Sequence, residues 1–154
     1  MTSKKFHTNV SINQIKLNEM NDWIVTDELI KHQKDFYFKV IGINASISNR
    51  ENLSWNQPMI EGYGNGICCC LAKMINGKIH LLSHLKAEFA NHDIIELGPS
   101  LQCNSFEFPQ QSPFEKLILD YINSAPKEKI VFDSMQSYEG GRFYQIANRH
   151  ILVL

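Results

Sequence analysis

The stretch Ile67-Cys-Cys-Cys-Leu-Ala-Lys-Met-Ile75, then Asn76-Gly77, then Lys78-Ile-His-Leu-Leu-Ser-His-Leu85 decides the fold. Two apolar, β-prone runs flank Asn-Gly, the dipeptide best able to adopt the positive φ angles of a two-residue type I′ turn. A β-hairpin is predicted. Side chains alternate along a strand, so Cys68 and Cys70 share one face while Cys69 takes the other. The four cysteines, Cys68, Cys69, Cys70 and Cys103, lack the paired spacing of a structural zinc site. They read as small buried apolar residues of a reducing compartment, with a redox or metal role as the lesser alternative.

On the N-terminal side, Phe36 to Ile47 alternates and predicts a strand. Ser11 to Trp23 carries Ile12, Ile15, Met20 and Trp23 at near-helical spacing behind Ser11 as a candidate cap, which predicts a helix. Gly62-Tyr-Gly-Asn-Gly66 lacks the lysine and hydroxyl of a phosphate loop and reads as a plain connection. On the C-terminal side, Ile94–Leu97 and Leu101–Phe106 read as short strands broken by Gly98-Pro99. Ser112 as cap, Pro113 in the first turn and Glu115 completing a capping box announce a second helix. Phe114, Leu117, Ile118, Tyr121 and Ile122 give it one apolar stripe. Lys129–Phe132, Phe143–Ala147 and Ile151–Leu154 complete the strands, with Gly140-Gly141 as a hinge. The sum is α+β: one domain with a mixed sheet and about two helices.

Composition narrows the function classes. A 154-residue chain that is 44% hydrophobic and 20% charged is neither disordered nor fibrous. Fifteen basic against sixteen acidic side chains leave a formal charge of −1, with no basic field for nucleic acid or an anionic membrane. The longest apolar run, Gly66 to Met74, is about half a membrane span and contains Lys73. The N-terminus has charges but no apolar signal core, so a cytoplasmic protein is expected.

There is no G-x-S-x-G elbow, H-E-x-x-H, G-x-G-x-x-G or Walker lysine. His80 and His84, an even number of residues apart on the expected hairpin strand, share a face. They either line a pocket or sit on a half-polar sheet surface. Three clusters are richer: Ser48-Asn-Arg-Glu-Asn-Leu-Ser-Trp-Asn-Gln-Pro58; Leu85-Lys-Ala-Glu-Phe-Ala-Asn91 with Pro99-Ser-Leu-Gln102; and Gln136-Ser-Tyr-Glu-Gly-Gly-Arg-Phe143 with Asn148-Arg149. Each mixes planar donors or carboxylates with aromatic and loop-forming residues, a mixture suited to an anionic ligand bearing a flat ring. Taken one at a time, each is equally a solvated loop.

Their order and wording resemble the NDP-hexose 2,3-dehydratase family of deoxysugar biosynthesis. The resemblance rests on Trp55-Asn56-Gln57-Pro58 (W-x-Q-P), Lys86-Ala87-Glu88 with Asn91 (K-A-E-P-G-N-like) and Pro99-Ser100-Leu101-Gln102 (P-T-V-Q-like). It continues through Ser137-Tyr-Glu-Gly-Gly-Arg-Phe143, Asn148-Arg149-His150 and the strand Asp35-Phe-Tyr-Phe-Lys-Val-Ile-Gly42. It runs from about Trp23 to the C-terminus and implies an N-terminal helical arm over 1–22 and a Nudix-like domain over 23–154, its sheet flanked by helices. Phe89-Ala90 replaces the family's usual Pro-Gly. Familiar members carry two copies of this unit and this chain one, which implies a homodimer with an isologous contact. Neither the family nor this chain shows the clustered glutamates of the Nudix metal box, so neither metal nor other cofactor is implied.

The implied substrate is a nucleotide-linked 4-keto-6-deoxyhexose, usually on thymidine diphosphate. Its C3 proton is acidified by the C4 ketone. A base removes it, the C2 hydroxyl leaves as water, and the enol tautomerises to a 3,4-diketo sugar. The resemblance makes Glu88, His84 and Tyr138 the catalytic candidates, with Glu88 first as base. Arg50, Trp55, Gln57, Lys86, Gln102, Glu139, Arg142, Tyr144, Asn148 and Arg149 are the substrate-binding candidates, Arg142 and Arg149 on the diphosphate. Alternatives stay open: Glu88 paired with Lys86, Arg142 paired with Glu139, and Trp55 as a core residue. A binding module that has lost catalysis is the second functional reading. A metal-free ketoisomerase is a third, although such enzymes have cupin-like barrels that the helix at Ser112–Ser124 does not suit.

Overall fold

The computed structural model describes residues 10–49, 51, 54–88, 94–104 and 112–154. The architecture is α+β, and the described residues form two compact units, one from 10–14, 66–136 and 148–154 and the other from 15–65 and 137–147.

The first unit is built on the predicted hairpin. Strands β5 (Gly66–Ile75) and β6 (Lys78–Leu82) pair antiparallel from Leu71↔Leu82 to Ile75↔Lys78. The turn places Asn76 at φ 51° and Gly77 at φ 73°, the left-handed pair that a type I′ turn requires. Strand β9 (Leu101–Asn104) lies along the first half of β5, antiparallel, and β11 (Ala147–Val153) runs parallel to β5 on its other edge. Strand β10 (Ile130–Ser137) extends the sheet beyond β11. A separate antiparallel pair joins β7 (His84–Ala87) to β8 (Ile95–Gly98). Helix α1 (Pro113–Ser124) starts as expected: the Ser112 hydroxyl accepts from the Glu115 N–H, and the Glu115 carboxylate accepts from the Ser112 N–H.

Its stripe buries Ile118 and Ile122 against Ile67, Cys69, Leu101, Cys103, Ile151 and Val153. Cys69 has no exposed surface, and burial pushes its thiol up to about 12. Cys68 and Cys70 face the other way, and none of the four cysteines is in a disulfide. Where the antiparallel partner of β5 changes from β9 to β6, buried Ser100 bridges the gap. Its hydroxyl donates to the Leu82 carbonyl (2.6 Å) and accepts from the Leu71 N–H (2.7 Å).

The second unit is a meander, β1 (Trp23–Val25), β2 (Leu29–His32), β3 (Phe38–Ser46) and β4 (Ser54–Gly62), all antiparallel neighbours. The Thr26 hydroxyl accepts from Glu28 and Leu29 N–H and closes the first turn. Buried His32 lies among the rings of Trp23, Phe36 and Tyr37.

Several sequence expectations are corrected. No helix forms in the described part of Ser11–Trp23, only a single 3-10 turn at Leu17–Glu19. Ile12, Ile15 and Leu17 are all more than half exposed, and a helix needs a buried face to persist. One α-helix, not two, is present among the described residues. Phe143–Ala147 is not one strand: Phe143 makes an isolated parallel bridge to Ile60, Gln145 turns the chain out of the extended region at φ 52°, and Ala147 opens β11. His80 and His84 lie on different strands, β6 and β7, separated by Ser83, so they do not form one face of one strand. Trp55-Asn-Gln-Pro58, inside a cluster read as loop, belongs to β4. Pro58 fits there because β4 ends its sheet, where a missing N–H is tolerated.

Ser100→Ala would remove the hydroxyl bridge between the part-buried Leu71 N–H and Leu82 carbonyl. It is expected to cost about 1 kcal/mol in urea unfolding, with no change in secondary-structure content.

Candidate active site

In the second unit, β4 holds the segment Ser137–Ala147 through a chain of donors. Trp55 and Gln57 alternate onto one face of the strand. The Trp55 indole N–H donates to Gln57 Oε1 (2.8 Å), which orients the amide so that Gln57 Nε2 donates to the Gly141 carbonyl (2.7 Å). Three residues on, Ile60 N–H donates to the Arg142 carbonyl (2.7 Å) and Tyr144 N–H to the Ile60 carbonyl (2.8 Å). The segment closes on itself where Tyr138 N–H donates to the Ile146 carbonyl and Arg142 and Phe143 N–H both donate to the Glu139 carbonyl. Gly62 permits the packing, since a Cβ there would lie 2.9 Å from Ile146 Cδ1.

The result is a cleft of ≈ 330 Å³ whose walls include Met59, Tyr138, Phe143, Tyr144 and Gln145. The Tyr138 and Phe143 rings meet edge to face at 4.4 Å. This volume is at the lower end for small-molecule sites. Arg142, 73% exposed, has only a 3.5 Å contact with Glu139. Gln145, in the left-handed region and on the cleft wall, was not singled out from sequence. Its φ has no local signature in a non-glycine residue.

The first unit holds His84, Lys86, Glu88, Gln102, Asn148 and Arg149; the second holds Trp55, Gln57, Tyr138, Glu139, Arg142 and Tyr144. Arg50 and Phe89–Asn91 lie outside the described residues. The carboxylate of Glu88 pairs with the Lys86 ammonium, both partly exposed. The Asn148 side-chain carbonyl accepts from the Gly66 N–H (2.8 Å). Only glycine fits at 66, because a Cβ would lie 2.8 Å from that oxygen and 2.9 Å from the Cys103 carbonyl.

Gln102, Cys68 and His150 form one row across β9, β5 and β11 on the face away from α1. Burial, with Cys70 second, raises the Cys68 thiol, opposed by Lys86. Cys68 and His150 were not proposed as site residues. Their juxtaposition depends on a long-range parallel register that local patterns do not reveal. Arg149 is held side-on by Asp133, Nε to Oδ1 at 2.8 Å and the second nitrogen to Oδ2 at 2.7 Å. The guanidinium holds the Asp133 carboxyl below the usual range.

Among the described residues, no group of three or more His, Cys, Asp or Glu is placed to hold a metal ion, and no helix is long and apolar enough to cross a membrane.

The class of protein is shown by the relatives of the chain. The sequence profile of the NDP-hexose 2,3-dehydratase family matches residues 1–154, and the chain belongs to that family. It is 37% identical over 141 residues to the dTDP-4-dehydro-6-deoxy-alpha-D-glucopyranose 2,3-dehydratase of Streptomyces violaceoruber, covering 90% of this chain and 32% of that protein. Proteins of the same name from Saccharopolyspora spinosa and Amycolatopsis orientalis are 37% and 30% identical, over 91% and 99% of this chain and 29% and 32% of their own lengths. The chain thus spans about a third of the length of the curated relatives it matches.

Two outcomes follow from this geometry. Gln57→Leu removes the link to Gly141 and is expected to speed amide exchange in residues 138–146 by about tenfold while leaving β3 and β4 protected. Asp133 has a folded-state pKa below its unfolded value of about 4. Its pair with Arg149 therefore stabilises fully above that pH and is lost as pH falls through the lower folded value. Asp133→Asn is expected to cost about 1 kcal/mol at pH 7 and to flatten the fall in urea midpoint between pH 5 and 3.

Proposed function

We infer that this chain carries out, or forms part of an enzyme that carries out, the 2,3-dehydration of a dTDP-linked 4-keto-6-deoxyhexose, a hydro-lyase step of deoxysugar biosynthesis. The observation that carries the reading is the identity of 30–37% over most of the chain to proteins named for that reaction. The cleft in the second unit supports it. Aromatic walls at Tyr138, Phe143 and Tyr144 suit the flat or sugar part of a nucleotide sugar, and the exposed guanidinium of Arg142 suits its diphosphate.

Within the second unit, Trp55 and Gln57 hold the Arg142-bearing segment in place, with Glu139 beside the arginine and Tyr138 as the candidate proton donor. Within the first unit, Glu88 and His84 are the candidates for the base, Lys86 and Gln102 are polar contacts, and Asn148 fixes Gly66. Arg149, engaged by Asp133, is read as a staple between β10 and β11 rather than as a phosphate ligand. The chemistry needs no electron transfer. The C3–H pair passes into the enolate of the C4 ketone, which re-forms as the C2–O bond breaks. The hydroxide departs as water, and the resulting enol gives the 3,4-diketo sugar.

We further infer a Nudix-like sheet from the parallel β5–β11 pair packed on α1, an arm preceding residue 23, a cytoplasmic location consistent with four cysteines outside any disulfide, and a symmetric homodimer.

Incubation of the protein with dTDP-4-keto-6-deoxyglucose and a trapping amine, followed by mass spectrometry, is expected to show loss of one water from the sugar. Binding of dTDP by thermal shift without water loss would instead make the chain a recognition module. Neither binding nor loss would overturn the reading.

A further inference from the structure

The base was left between Glu88 and His84, and the surroundings of His84 decide between them. His84 opens β7, and its cross-strand partner on β8 is Gly98. With no side chain opposite, the imidazole folds over the glycine: a Cβ at 98 would lie 3.1 Å from Cε1 and 3.3 Å from Nε2. In that position Nδ1 meets the Pro99 carbonyl at 2.6 Å. A carbonyl only accepts, so the proton of the neutral ring resides on Nδ1 and the Nε2 lone pair is left as the proton acceptor.

The charged residues of this strand pair and its exit are Lys86, Glu88 and Glu96. Lys86 and Glu88 face each other as an ion pair, so the Glu88 carboxylate is already in contact with an ammonium.

We propose that His84, with its tautomer set by the Pro99 carbonyl and its ring seated on Gly98, is the group that takes the C3 proton of the sugar through Nε2, and that Gly98 and Pro99 are positioning residues for it. The proposal rests on the dehydratase reading above. The C3–H bonding pair enters the enolate, Nε2 gains the proton, and that proton is available to the hydroxide leaving C2, so the ring is returned to its starting tautomer with one water formed.

The test uses the full chain labelled with 15N-histidine. Long-range 1H–15N correlations at neutral pH are expected to show His84 protonated on Nδ1, and Gly98→Ala, with its amide dispersion retained, to show that preference lost. An Nε2-protonated ring in the parent chain overturns the proposal. With dTDP-4-keto-6-deoxyglucose and a trapping amine, His84→Ala is expected to lose at least ~100-fold in turnover and to recover part of it in added imidazole. Turnover unchanged in His84→Ala, or lost without any recovery in imidazole, overturns the acceptor role while leaving the dehydratase reading standing. A parent chain that forms no product overturns both, and the tautomer from the same sample then shows whether the clamp itself exists.

Discussion

Strand β5 is hydrogen-bonded along both edges, and burial of its inward face against α1 is what the first unit is built around. Ile67 and Cys69 meet Ile118 and Ile122 of the helix, with Leu101 and Cys103 on one side and Ile151 and Val153 on the other. One of these partners, β11, runs parallel to β5 and lies far from it along the chain. The sheet therefore completes only when a distant segment is in place, and closure of that long loop is paid before the core rewards it. Local order in the unit comes from the Asn76-Gly77 hairpin and the capped helix, both of which form from neighbouring residues.

The same strand exposes a degeneracy. Three consecutive cysteines are equal in size and polarity, so a one-residue slip would exchange Cys68 for Cys69 in the core at little cost in side-chain volume. Register is fixed by the residues around them. Gly66 is held by Asn148 in a space too small for a Cβ, and the Asn76-Gly77 turn fixes the other end. Ser100 adds a third point by satisfying Leu71 and Leu82 where the strand changes partners. With register set, the pleat sends Cys68 to the face that also receives Gln102 and His150.

What the sequence made legible was local. The hairpin, helix α1 with its capping box, and the strand through Phe38–Ser46 follow from turn chemistry and periodicity over a few residues. The α+β class follows from their sum. Ser11–Trp23 has helical spacing but no surface to bury it, and burial is a tertiary property. Phe143–Ala147 has strand composition but a left-handed residue in its middle. Strand β4 was obscured by Asn56, Gln57 and Pro58, residues that an edge strand tolerates and a central one does not. For the candidate site, motif order pointed to the family. It could not say that Gln57 would spend its amide on Gly141, or that a glycine opposite His84 would orient the ring.

The two arginines of the C-terminal motif show how neighbouring residues of one pattern acquire different chemistry. Arg149 presents its fork edge-on to Asp133 with both hydrogen bonds shorter than 3 Å, and only 34% of its side chain is exposed. Displacing that carboxylate would strand a partly buried aspartate, so an incoming anion has to offset the cost before it gains anything. Arg142 is 73% exposed and touches Glu139 at 3.5 Å, a contact in near-bulk dielectric that a doubly charged ligand can replace at almost no cost. Its backbone, however, is not loose: the Ile60 N–H holds its carbonyl, and Gln57 holds the residue before it. A guanidinium free to move on a fixed backbone beside an aromatic cleft is preorganised in position and uncommitted in charge. The two guanidiniums therefore differ in kind: that of Arg142 is exposed and weakly paired, and that of Arg149 is committed to Asp133.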